Sequence, residues 1–67
     1  MLIRKLRLER GISQEQLAEA AHLSLRTIQR VEAGHRVSYA SLRALAAIFD
    51  MNVDLLEREL YAMNSKN

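Results

Sequence analysis

The sequence predicts an all-α fold of five short helices. Three observations carry that expectation. Its 49% hydrophobic content is weighted towards Leu and Ala, with no proline, and few β-branched residues; this composition favours helix. Apolar residues recur at three- and four-residue spacing rather than in alternation. Serine or asparagine stands where most of these periodic segments begin, and the two glycines stand where two of them end.

The first helix is expected over about residues 2–10, with Ile3, Leu6 and Arg7 on one face and Gly11 as its stop. Ser13 opens the second, and Gln16 three residues later completes a capping box. Leu17, Ala18 and Ala21 form its inner stripe, and it ends near His22. Ser24 opens the third, which runs to about Ala33 and stops at Gly34, with Ile28 and Val31 inward. HRVSYA, residues 35–40, is a polar connection. Ser41 is expected to cap the fourth helix, with Leu42, Leu45, Ala46 and Phe49 facing the core. Asn52 caps the fifth, where Val53, Leu56 and Leu60 recur at helical spacing. Residues 64–67 read as a frayed end.

A chain of 67 residues makes one domain. Of the surface exposed by the unfolded chain, a domain this size buries only about 60%. With no cysteine, neither a disulfide nor a thiolate metal site supplements its core. The longest apolar run, residues 44–49, is far too short to span a bilayer. The opening MLIRKLRLERG lacks the continuous apolar stretch of a secretory signal. The composition therefore predicts a soluble intracellular protein without a membrane partner. The net charge is +2, unevenly spread. Residues 1–43 hold eight basic and four acidic residues, and residues 44–67 hold two and four. A basic front with an acidic rear suits a polyanion on one side.

The second and third helices are joined by only about three residues, Ala21 to Leu23. Two short helices linked so tightly must cross steeply, and small side chains such as Ala18 let them approach. Leu17, Ala21, Leu23, Ile28 and Val31 then close a shared core. This is the spacing of a helix-turn-helix, whose second helix is presented outward to a groove. On that outward side Arg26, Thr27, Gln29 and Arg30 concentrate long hydrogen-bonding groups. Arginine can grip O6 and N7 of guanine with two bonds, worth roughly 1–3 kcal/mol of discrimination.

These residues resemble the helix-turn-helix of Cro and repressor proteins and the broader XRE-type regulators. The likeness rests on LRxxxG (Leu6, Arg7, Gly11), SQEQLA (13–18), TIxRxExG (27–34), SLRALA (41–46) and NVDLL (52–56), in order and with similar gaps. It covers about residues 2–57. Three positions depart from the family pattern. His22 stands where a turn glycine is usual, Asp50 where a helix-ending glycine is common, and Ser38 or Tyr39 where a proline is often found. His22 is expected to need a positive φ, which His tolerates better than most residues.

The resemblance implies a compact lambda-repressor-like domain over residues 1–57, with 58–67 as a C-terminal extension. It implies sequence-specific binding of double-stranded DNA by a transcriptional regulator in a bacterial or phage-type cytoplasm. It places Gln14, Ser24, Leu25, Arg26, Thr27, Gln29, Arg30 and Arg36 at the DNA, Gln14 on the phosphate backbone. Arg36, Tyr39 and Arg43 are the lesser backbone candidates. It also pairs Arg7 with Glu32 as a structural ion pair between the first and third helices. Repression by blocking RNA polymerase and activation by contacting it from the second helix are equally compatible with these residues.

The tail carries Leu60, Tyr61 and Met63 beyond the likeness. As surplus apolar surface they point to a homodimer, which would set two recognition helices about 34–36 Å apart on a palindromic operator. His22 and His35 have no companion at metal-ligand spacing. No nucleophile–base pairing or glycine-rich phosphate loop is present. The expectation is a non-enzymatic protein without cofactor or metal. The rival reading is a protein-interaction module on the same scaffold. A DNA-binding antitoxin or a restriction–modification controller would show the same motifs.

Overall fold

The computed structural model describes residues 2–61, which form five helices. They are α1 (Leu2–Glu9), α2 (Gln14–Ala21), α3 (Leu25–Glu32), α4 (Tyr39–Ile48) and α5 (Val53–Tyr61). Side-chain caps open four of the five. Ser13 Oγ accepts from Gln16 N–H at 3.0 Å, while the Gln16 carboxamide accepts from Ser13 N–H at 2.7 Å, closing the capping box. Ser24 Oγ accepts from Thr27 N–H at 3.0 Å. Asn52 Oδ1 accepts from Asp54 and Leu55 N–H groups at 2.8 and 3.2 Å.

The start of α4 differs from the expectation. Its N-cap is Ser38, whose Oγ accepts from Ser41 N–H at 3.1 Å, and Tyr39 and Ala40 are already helical. Ser41 lies inside the first turn instead of capping it. The sequence S-x-x-S offers two serines one turn apart. The earlier one wins because neither Tyr39 nor Ala40 opposes helix, so one more turn of backbone bonds forms.

The first four helices end alike. One or two residues past each end the chain adopts a left-handed conformation: Gly11 (φ 67°), His22 (φ 57°), Gly34 (φ 94°) and Asp50 (φ 58°). The next N–H then reaches back five residues: Ile12 to Arg7, Leu23 to Ala18, His35 to Arg30 and Met51 to Ala46. These are Schellman closures, which satisfy carbonyls that the helix ends would otherwise leave bare. Two of the four use a non-glycine residue, as expected for His22 and Asp50.

α2 packs on α3 and α4, α1 bridges α3 and α5, and α4 lies against α5. Ile3, Leu17, Ile28, Leu45 and Leu56 meet at the centre with no exposed surface. Ala18 and Ala21 keep α2 close to its neighbours, and Leu42, Ala46 and Phe49 supply the inner face of α4. Arg10 fastens the end of α1 to the end of α4. Its guanidinium lies over the Phe49 ring, 5.1 Å from the centroid, and donates to the Phe49 carbonyl at 3.3 Å. α5 continues unbroken across residue 58 and ends at the buried Tyr61. Residues 58–61 therefore pack as part of the same unit.

Candidate nucleic-acid interface

α2 and α3 are separated only by His22, Leu23 and Ser24. His22 reverses the chain through its left-handed backbone, Leu23 packs against the core, and Ser24 starts the next helix. This turn fixes which side of α3 faces inward. Ile28 and Val31 are buried against the core, and Glu32 is buried with them.

A buried carboxylate needs partners, and Glu32 has three hydrogen bonds. Arg7 Nε donates to Oε2 at 2.8 Å, Arg7 Nη2 to Oε1 at 3.3 Å and Gln14 Nε2 to Oε1 at 3.0 Å. Arg7 Nη1 donates to the Ile12 carbonyl at 3.0 Å, so the guanidinium also ties down the turn after α1. Arg7 is 8% exposed and Glu32 9% exposed. Among the described residues no buried side-chain nitrogen or oxygen lacks a partner. Burial pushes the Glu32 carboxyl up. The hydrogen bonds from Arg7 and Gln14 and the charges of Arg7 and Arg4 together outweigh that, holding it below its ordinary 4.5. The hydrogen bond to Glu32 raises the Arg7 guanidinium, outweighing the opposing effect of its burial. This brace locks α3 to α1 and to the first turn of α2.

The opposite side of α3 is organised differently. Arg26, Gln29 and Arg30 are exposed. Among the described residues none of the three joins a side-chain hydrogen bond or ion pair. Leu25 and Thr27 are half-buried at the helix entry. The Ser24 and Thr27 hydroxyls lie 2.9 Å apart and share the cap, so both have part of their hydrogen-bonding capacity committed. Gln14 is half-buried, and one of its two amide N–H donors is given to Glu32. The other donor and the carboxamide oxygen have no protein partner among the described residues.

Beyond α3 the chain stays near its C-terminal end, because His35 N–H bonds the Arg30 carbonyl at 2.9 Å. Arg36, the next residue, is exposed. Its guanidinium lies over the Tyr61 ring, 4.2 Å from the centroid. Tyr39 is exposed at the start of α4 and its hydroxyl donates to Asp54 at 3.4 Å, while Arg43 is exposed one turn further on. Partial desolvation at this surface position, then the Asp54 carboxylate, raises the Tyr39 phenol above its ordinary value.

The tail residues divide. Tyr61 is 4% exposed, and its hydroxyl accepts from Val37 N–H at 3.3 Å. It is therefore an internal anchor instead of free apolar surface. Leu60 is half-buried against the core, and Met63 lies outside the described residues. Leu55, not singled out by its spacing, is the large apolar side chain that α5 leaves exposed.

Sequence reasoning missed the Gln14–Glu32 bond and both ring–arginine pairs. Their partners are 18 to 39 residues apart, so no local spacing announces them. Among the described residues no group of three or more His, Cys, Asp or Glu could hold a metal, and no helix is long and apolar enough to cross a membrane.

Compared with protein-family models, residues 3–56 match one described as helix-turn-helix. Comparison with curated proteins and with solved structures gives no match.

Proposed function

The chain belongs to the Cro/repressor (XRE-type) helix-turn-helix family, a family of DNA-binding transcription regulators, and on that premise we propose that it is a repressor. It acts as a homodimer on a palindromic operator, with α3 in the major groove. One observation carries this reading: α3 is braced on one side by Ile28, Val31 and Glu32 while Arg26, Gln29 and Arg30 stand exposed on the other, without side-chain partners among the described residues. A rigid helix with free arginines can read base edges without reorganising first.

Arg26 and Arg30 bond to guanines, and Leu25 and Thr27 meet thymine methyl groups at the helix entry. Gln14, Ser24 and Arg36 contact phosphates, which position the protein without reading sequence. Glu32 leaves Gln14 one amide donor for that contact. The second copy meets α5 at Leu55, the apolar side chain exposed there, beside the half-buried Leu60. The bound dimer represses by excluding RNA polymerase.

Selection of bound duplexes from a random pool tests the reading. The expected result is an inverted repeat with half-site centres about 10 base pairs apart, or a multiple of that. A single unrepeated half-site would remove the dimer and keep DNA recognition. Failure to enrich any motif at low salt would sink the proposal.

A further inference from the structure

Tyr61 lies five residues beyond the part of the chain that matches the family. It nevertheless holds two adjacent residues of the loop between α3 and α4. Its hydroxyl accepts from Val37 N–H, and its ring lies under the Arg36 guanidinium. Tyr61 is buried, whereas Arg36 is exposed. A flexible loop arginine has many rotamers, and ordering one on binding costs affinity. An aromatic ring occupies only one face of a guanidinium. The five N–H donors lie in the guanidinium plane and point away from its edges. Contact with the ring, 4.2 Å from the guanidinium carbon to the centroid, therefore restrains the charge without supplying an oxygen or nitrogen acceptor, and its donors stay available. The His35-to-Arg30 bond keeps Arg36 beside the end of the recognition helix.

We propose that Tyr61 is a positioning residue for DNA: it presents the Arg36 guanidinium, edge outward, to a backbone phosphate. This rests on the reading of α3 as the DNA-facing helix. It also gives the end of α5 a function within its own subunit, distinct from dimer contact.

The test is a double-mutant cycle read by duplex affinity across a salt series. Because phosphate contacts are independent of sequence, an arbitrary labelled duplex of about 20 base pairs serves as probe. Arg36→Ala should lower the salt slope by about 1. Tyr61→Leu should weaken binding about two- to five-fold, the worth of an exposed cation–π contact. In the Arg36→Ala background, Tyr61→Leu should cost little further affinity, while its effect on thermal stability persists. Additive affinity losses would show that Tyr61 acts on the fold alone and would overturn the proposal. Tyr61→Phe, which keeps the ring, should lose less than Tyr61→Leu; an equal loss would also overturn it.

NMR of the unmodified protein removes any dependence on how the variants fold. Ring-current shifts of the Arg36 side-chain protons should persist when duplex is added, while its guanidinium N–H signals move. Loss of those ring-current shifts on binding would mean that ring and phosphate compete, contradicting the proposal. Were the unmodified protein to show no salt-dependent duplex affinity, the DNA-facing assignment itself would fail, a result separable from an additive cycle.

Discussion

The two sides of α3 show opposite uses of polar side chains. Inward, Glu32 is 9% exposed and every bond it makes is to the protein itself: two to Arg7 and one to Gln14. Outward, Arg26, Gln29 and Arg30 are exposed and, among the described residues, make none. Charge on one side is used to hold the helix still; on the other it is kept available. A helix of eight residues is too short to be stable alone. Its rigidity therefore comes from the braced side, and recognition depends on that rigidity.

Disruption of the inner side should have the largest effect. Glu32→Ala leaves Arg7 buried without its carboxylate and should cost about 3 kcal/mol in urea unfolding, the lower end for a buried pair because this small domain keeps it near solvent. A loss below 1 kcal/mol would mean that the pair behaves like a surface salt bridge. Substitution on the outer side should do the reverse. Arg30→Ala should leave stability within about 0.5 kcal/mol. It should weaken operator binding by about 1–3 kcal/mol if Arg30 holds a guanine. If destabilisation accompanied the loss, the two sides would not be independent.

Acid should act on the inner side first. The folded-state pKa of Glu32 is depressed, so its stabilising contribution is full above the ordinary 4.5 and is lost as pH falls through the lower folded value. Unfolding free energy should therefore decline below about pH 4.5, and Glu32→Gln should flatten that part of the profile. An unchanged profile in Glu32→Gln would assign the acid sensitivity to other carboxylates.

The turn joining the sides to α2 offers the smallest effect. His22 holds φ at 57° in the position that glycine occupies after α1 and α3. His22→Gly should raise stability by roughly 0.5–1 kcal/mol, because relief of left-handed strain exceeds the entropy cost of glycine. Gly11→Ala provides the converse. A Cβ there meets nothing within 4 Å, so any destabilisation reports φ alone. Neither change should alter DNA affinity measured on folded protein.

Much of this organisation is legible in the residues. Ser13, Ser24 and Asn52 cap helices through bonds to N–H groups two or three residues ahead, a spacing visible in the chain. The core stripes of α2 and α4 follow helical period. The Arg7–Glu32 pair was accessible only through resemblance, since nothing local links residues 25 apart. Sequence reasoning puts the start of α4 at Ser41, one turn late, because Ser38 and Ser41 are both competent caps. Tyr61 read as surplus apolar surface because its hydroxyl partner is a backbone N–H 24 residues away, whose position depends on how the α3–α4 loop folds. Its place at the start of α2 shows only an outward amide for Gln14, and the crossing of α2 over α3 turns half of that donor capacity inward to Glu32.

The central claim is that the outer side of α3 is the surface that recognises DNA. Its most direct test is the affinity of an Arg26→Ala, Arg30→Ala double variant for a duplex enriched by the unmodified protein, with folding checked by thermal melting. The account predicts an unchanged melt and an affinity at least about ten-fold weaker, the minimum expected from losing one good bidentate contact and a second charge. Binding equal to that of the unmodified protein, from a variant that melts normally, would contradict it.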